Sequence, residues 1–137
     1  MSEYQVLVDS DAFVGRFFTD DSHHHHSLAL FEKFERASVL LTTTSAVIGE
    51  TATVLSHRRG QELALRFLDV IKRSQMSIIH IDERLHQKAI ALFTEQRERG
   101  TSYTDCANVA VMQQFSIPLI LSFDQVYPKK FKLQAAA

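Results

Sequence analysis

Apolar runs of strand length alternate along this chain with segments of helical period. The run YQVLV (4–8) is short, rich in β-branched residues and stops at Asp9, and AFVGRFF after it continues as a helix. SLALFEKFER (27–36) has helical spacing, with Leu28, Phe31 and Glu35 near one face and Leu30 and Phe34 beside them. SVLLT (38–42) predicts a second strand, and Ser45 is placed to cap a helix running to about His57. QELALRFLDVIKR (61–73) puts Leu63, Ala64, Phe67, Leu68 and Ile71 on one stripe. MSIIHI (76–81) predicts a third strand. Residues 82–100 predict a helix capped at its start, with Leu85, Ala89, Leu92 and Phe93 inward and Gly100 at its end. TDCANVAVMQQF (104–115) is apolar nearly all round, which predicts a deeply buried helix. IPLILSF (117–123) is the fourth strand, and the tail from Tyr127 has room for a short edge strand.

Strands alternating with helices predict a three-layer α/β/α sandwich around a parallel sheet of four or five strands. The near-continuous apolar runs suit strands covered on both faces. The whole of 1–137 reads as one domain, with Ala135 to Ala137 either native or a cloning scar. In such sheets ligands sit beyond the carboxyl ends of the strands, where the strand order reverses. The residues just after each strand are therefore the first place to look for chemistry.

Acids stand at those places. Asp9 comes directly after the first strand and Asp124 after the fourth, while Asp105 opens the most apolar helix. Glu50 falls with Val47 and Val54 on the stripe expected to be buried. Each has an ordinary reading as well. Asp9 or Asp11 can cap the first helix, Asp105 can answer the helix dipole, Asp124 can sit in a turn, and Glu50 can lie at the solvated edge of its stripe. Four carboxylates meeting at one sheet edge would repel each other, and a hard divalent cation removes the repulsion. Mg²⁺ or Mn²⁺ prefers oxygen donors and bridges to phosphate, which is the chemistry of phosphodiester hydrolysis by metal-activated water.

The blocks VLVDSDAFV, AVIGETATVL, SYTDCANVAV and LILSFDQVY, in this order and spacing, resemble those of PIN-domain ribonucleases, and the similarity runs through essentially the whole chain. It is nearest to the compact VapC-type toxins of toxin–antitoxin pairs. Carried over by position, the resemblance implies that Asp9, Glu50, Asp105 and Asp124 are both catalytic and metal-binding. It implies Mg²⁺-dependent cleavage of single-stranded RNA, leaving a 3′-hydroxyl and a 5′-phosphate. It also implies a small antitoxin partner and a homodimer. Two features depart from the family pattern. Asp11 stands where Asn or Ser is usual, and it reads here as a helix cap. QVYPKKF after Asp124 replaces a shorter step to an aromatic residue. Ser10, Thr104 and Ser122 flank the acids and are placed to hydrogen-bond ligands or water. The alternative is a PIN fold that binds RNA or protein without cutting.

Composition narrows the rest. The formal net charge is −1 over 137 residues, so no global basic field draws in a polyanion. The single cysteine, Cys106, allows no internal disulfide and reads as a small buried hydrophobe. Neither a signal peptide nor a membrane-spanning run is legible, which predicts a cytoplasmic protein with no membrane partner. The basic pairs Arg58–Arg59, Lys72–Arg73, Arg97–Arg99 and Lys129–Lys130 read mostly as solvated surface, and those near the sheet's carboxyl edge could contact RNA phosphates. Among the aromatics, Tyr103 and Tyr127 are the candidates for stacking on RNA bases. The run His23 to His26 has the wrong spacing for a helical metal pair, which needs i and i+4. It reads first as an exposed, polar helix start, capped by Asp20, Asp21 or Ser22, with adventitious Ni or Zn binding and a role in RNA contact or pH sensing as the alternatives.

Overall fold

The computed structural model describes residues 4–137. Five parallel strands form one sheet: β1 (Val6–Val8), β2 (Leu41–Thr44), β3 (Ser77–Ile79), β4 (Leu119–Leu121) and β5 (Ala135–Ala136), in the order β3-β2-β1-β4-β5. Seven helices connect them: α1 (Ser10–Phe17), α2 (His24–Arg36), α3 (Ser45–Arg58), α4 (Gln61–Arg73), α5 (Glu83–Thr94), α6 (Tyr103–Phe115) and α7 (Val126–Lys130). β1 lies at the centre with β4 on one side and β2 on the other. Its side chains alternate between two cores, as strand geometry requires. Val6 and Val8 join Phe13, Phe31, Val47, Leu55 and Phe67 beneath α1 to α4, while Leu7 joins Leu85, Val109, Met112 and Ile120 beneath α5 and α6. This is the expected three-layer sandwich. Among the described residues no helix is long and apolar enough to cross a membrane.

The departures from expectation have local causes. β2 begins three residues later than its apolar run suggests, because residues 38 and 39 end the preceding helix. Ser38 takes a left-handed backbone (φ 54°), and Val39 N–H closes onto Phe34 O at 3.0 Å. The strand is instead LTTT, whose last three residues are fully buried. Their hydroxyls are satisfied internally: Thr42 donates to Ser77 O (2.7 Å), Thr43 to Val8 O (2.8 Å) and Thr44 to Asn108 Oδ1 (3.2 Å). Thr44, not Ser45, caps α3, by accepting from Val47 N–H. Ser45 accepts from Ile81 N–H instead. α5 stops at Thr94, short of Gly100, and Phe93 is exposed. Leu85, Ala89 and Leu92 keep to the inward stripe, and Phe93 falls roughly 80° off it at 100° per residue. On α4, Ala64, Phe67 and Ile71 form the buried stripe and Leu68 lies outside it. On α2, Phe31 and Phe34 are buried and Leu28 is exposed. The tail from Tyr127 is helical first (α7), and the edge strand comes later, at Ala135–Ala136.

α6 behaves as its composition predicts: every residue from Thr104 to Met112 is buried. The strand order reverses at β1, so the crevice lies between the carboxyl ends of β1 and β4. Asp9 N–H bonds to Leu121 O (3.0 Å), which ties those two ends together.

Candidate active site at the β1–β4 crevice

Asp9 leaves β1 with extended backbone and caps α1, its Oδ1 accepting from Ser10 N–H at 2.8 Å. Asp9 is only 3% exposed, and its carboxylate sits at the crevice. Oδ1 also accepts from Asn108 Nδ2 (3.1 Å), while Oδ2 meets Ser122 Oγ (2.8 Å) and the Tyr127 hydroxyl (3.0 Å). Asp105 is likewise both cap and site residue. Ser102 and Asp105 form a reciprocal capping box at the start of α6, which occupies Asp105 Oδ2. Its Oδ1 points to the Tyr127 hydroxyl at 3.1 Å. One phenol from α7 thus touches carboxylates from β1 and α6 and accepts from Asn108 Nδ2 at 3.0 Å.

Asp11 does not cap α1; Asp9 does. Asp11 turns from the first turn of α1 towards the loop after β4, where Oδ2 accepts from Phe123 N–H (3.0 Å) and lies 3.3 Å from Ser122 Oγ. Its Oδ1 is buried and has no hydrogen-bond partner among the described residues. Asp124 is exposed, folds back onto Val126 N–H (2.9 Å), and lies near enough for its charge to act on both Asp11 and Asp105. Glu50 is half-buried, because the buried stripe of α3 is Val47, Thr51 and Leu55 rather than Val47, Glu50 and Val54. It reaches the cluster indirectly: Ser10 Oγ donates to Glu50 Oε2, and Ser10 N–H is already bonded to Asp9.

The electrostatics are set by burial. Loss of water pushes the Asp9 carboxyl up to about 8, the Asp11 charge adds to the rise, and the Ser10 and Ser122 donors oppose it. Desolvation likewise raises Asp11, to about 6, against the Phe123 and Ser122 hydrogen bonds. Asp105 is raised, again first by burial. Burial and the Asp9 and Asp105 charges push the Tyr127 phenol up, so it stays a neutral donor. The ion pairs among the described residues are Arg36–Glu32, Arg58–Asp21 and Arg73–Asp69, and none involves these acids.

The donor set is all oxygen, it is under-neutralised, and one buried carboxylate oxygen is orphaned. Those properties fit a hard divalent cation. Among the described residues no three acidic, histidine or cysteine side chains close around a single point as a ready-made cage. Mg²⁺ does not need such a cage, since it is commonly held by one or two carboxylates and keeps several waters.

Several sequence-level assignments change here. Tyr127 is fully buried beneath the acids and has no face for a base. Tyr103 is half-buried, and its hydroxyl pairs with His86 Nδ1 at 2.7 Å. Ser122 and Ser10 touch the acids directly, whereas no hydrogen bond ties Thr104 to them. Sequence reasoning overlooks Asn108, although its place one helical turn after Asp105, on the same face of a buried helix, is a usable signal. Cys106 is buried, and burial together with the Asp105 charge pushes its thiol up to about 11, which leaves it inert. The histidines are not simply an exposed helix entrance. His23 is the N-cap residue of α2 without a side-chain capping bond, and its ring stacks on Phe123.

Similar proteins carry the same architecture. A VapC ribonuclease from Archaeoglobus fulgidus is 29% identical over 121 residues, covering 86% of this chain and 76% of that protein. The crystal structure of Mycobacterium tuberculosis VapC20, a sarcin–ricin loop cleaving toxin, superimposes with a TM-score of 0.78 at 24% identity, over 88% of this chain and 90% of that one. VapBC2 from Rickettsia felis, solved bound to a DNA fragment from its promoter, gives 0.65 at 16% identity over 96% of each chain. Residues 6–132 match the PIN domain as a family. With a parallel five-stranded sheet and acids gathered where its strand order reverses, the chain belongs to the PIN domain family.

Proposed function

We propose that this PIN domain is a VapC-type endoribonuclease, the toxin of a toxin–antitoxin pair, and that it cuts single-stranded RNA with Mg²⁺ as its cofactor. The observation that carries the reading is the pair Asp9 and Asp105, two buried carboxylates on one Tyr127 hydroxyl with no ion-pair partner among the described residues. A structural role alone would favour neutral or apolar residues there, because unpaired buried charge is costly. The ribonuclease relative at 29% identity supports the nuclease reading.

Asp9, Asp105 and Asp124 would hold the cation, with Asp11 contributing the unpartnered Oδ1. When bound, a divalent ion neutralises phosphate charge and acidifies water for attack on phosphorus. The chain's own residues prepare that site. Ser10, Asn108, Ser122 and Tyr127 fix the Asp9 carboxylate, and Ser102 fixes Asp105. Glu50, oriented by Ser10, stands at the half-open side, where it can take a proton from the attacking water. The likeness to VapBC2 supports an antitoxin partner. Leu65 on α4 and Ile90 and Phe93 on α5 are exposed apolar side chains for that contact or for homodimerisation.

The test is cleavage of single-stranded RNA by the purified chain with Mg²⁺, with Mn²⁺ and with chelator. Cleavage should need the cation, and Asp9→Asn should reduce it to background. An Asp9→Asn protein that cleaves as well as the wild type would remove the metal–carboxylate mechanism.

A further inference from the structure

Three of the four histidines make distinct contacts. The turn that carries them is fixed to its surroundings: His23 N–H donates to Asp21 Oδ2 (3.0 Å), and Arg58 Nη1 holds the other oxygen of that carboxylate at 2.7 Å. His24 Nδ1 lies 2.7 Å from Gly15 O, and Ser27 Oγ donates to Ala12 O at 2.5 Å. His24 and Ser27 thus pin the start of α2 to α1. His23 and His26, at i and i+3, share one side of the helix, and that side faces Phe123. The His23 ring lies flat on Phe123, with centroids 4.2 Å apart and planes 5° apart. His26 leans on the same ring at 5.2 Å and 51°. Both imidazoles are exposed.

Phe123 sits between Ser122 and Asp124, and its N–H bonds to Asp11. The stack therefore begins within one residue of the acids. The acids, with the cation they would hold, address the phosphate and offer nothing to a base. The nearby guanidinium of Arg58 is already engaged by Asp21 and lies over Phe18 at 4.7 Å. A pre-set aromatic face holds the strand at this side without needing basic charge, and it serves any base.

Building on the endoribonuclease reading, we propose that His23, stacked on Phe123 and flanked by His26, is a nucleobase-stacking subsite for the nucleotide beside the scissile phosphate of single-stranded RNA. The exposed face of the imidazole receives the base, and Phe123 fixes the ring's plane against the acidic cluster. The assignment is to stacking, so it predicts little choice between bases at that position.

The test uses the Asp9→Asn protein with Mg²⁺ and short single-stranded oligoribonucleotides carrying 2-aminopurine, whose fluorescence is quenched on stacking. Adding His23→Ala should weaken binding roughly tenfold and abolish the quench. His23→Tyr should restore both. His23→Leu, which still covers Phe123 but has no π-face, should not, and that separates stacking from simple shielding of the phenylalanine. His25→Ala, outside the stack, is the control and should bind as the parent does. In the cleaving protein, His23→Ala should raise KM with kcat little changed. Wild type that cleaves RNA, beside a His23→Ala variant that binds and quenches normally, overturns the subsite and leaves the nuclease reading standing. Equal RNA binding with loss only of binding to a co-expressed antitoxin assigns this face to protein and also overturns it. Wild type that neither binds nor cleaves RNA overturns both.

Discussion

Tyr127 has one proton and two carboxylate oxygens within reach of it, Asp9 Oδ2 at 3.0 Å and Asp105 Oδ1 at 3.1 Å. It can donate to only one at a time, so the other close approach needs a proton on a carboxyl or a cation between the acids. That makes Tyr127 a latch for the two site residues. Replacing it with Phe keeps the ring but leaves Asn108 Nδ2 without its 3.0 Å acceptor and Asp9 short of a donor. Tyr127→Phe should destabilise the chelated protein by about 1–3 kcal/mol, read as a lower urea midpoint at unchanged slope. An unchanged midpoint would mean that the hydroxyl is not latching the acids. At this scale the sequence announces the acids but not their partners. Strand-end position makes Asp9 and Asp124 visible and helix-start position exposes Asp105, whereas the roles of Asp11 and Tyr127 depend on chain segments more than 100 residues apart. Asp11 misleads because Ser/Asp-rich starts offer two equivalent caps, and only the backbone angles choose between them.

Among the elements, those with a strong period are legible and those finished by side-chain hydrogen bonds are not. α4 and α6 match their predicted spans to within a residue or so, since one has a sharp apolar stripe and the other is apolar throughout. β2 is displaced because threonines with internally bonded hydroxyls make a buried strand that hydrophobicity underrates. The end of α5 is overrun because polar residues 95–100 lack a stripe to break. The start of α6 is where an element and the site are coupled. The Ser102 hydroxyl accepts from Asp105 N–H at 3.0 Å, which sets the backbone that carries the Asp105 carboxylate. Ser102→Ala removes that acceptor but keeps the backbone N–H that Asp105 Oδ2 uses. It should cost about 1 kcal/mol in chemical denaturation, the usual scale for a lost N-cap. A loss well above this would show that the serine is also supporting the acid cluster itself.

For the whole molecule, the sandwich encloses acids that ionise poorly without a cation, so its stability should depend on pH in an unusual direction. Asp9 is raised from an ordinary carboxylate value to about 8, and Asp11 beside it to about 6, mainly by burial. The two titrate as a pair, so the protons leave in macroscopic steps. Below about pH 4 folded and unfolded chains hold these protons equally, and the full stability is present. Between there and the raised folded values the folded chain binds more protons than the unfolded one, so stability falls as pH rises, by up to about 1.4 kcal/mol per pH unit for one such group. The chelated protein should therefore melt higher near pH 5 than near pH 8. A bound divalent ion stabilises the ionised acids, so added Mg²⁺ or Mn²⁺ should raise Tm far more at pH 8 than at pH 5. Asp9→Asn keeps a capping oxygen at the start of α1 but removes the costly charge. In that variant the chelated protein should be more stable than wild type at pH 8, with a flatter pH profile and a smaller gain from the cation. The measurement is a set of thermal melts from pH 5 to pH 8, with chelator and with each ion. A flat profile for chelated wild type would mean that water or a rearranged side chain already relieves the buried carboxylates, and the case for a cation at this crevice would lose its electrostatic basis.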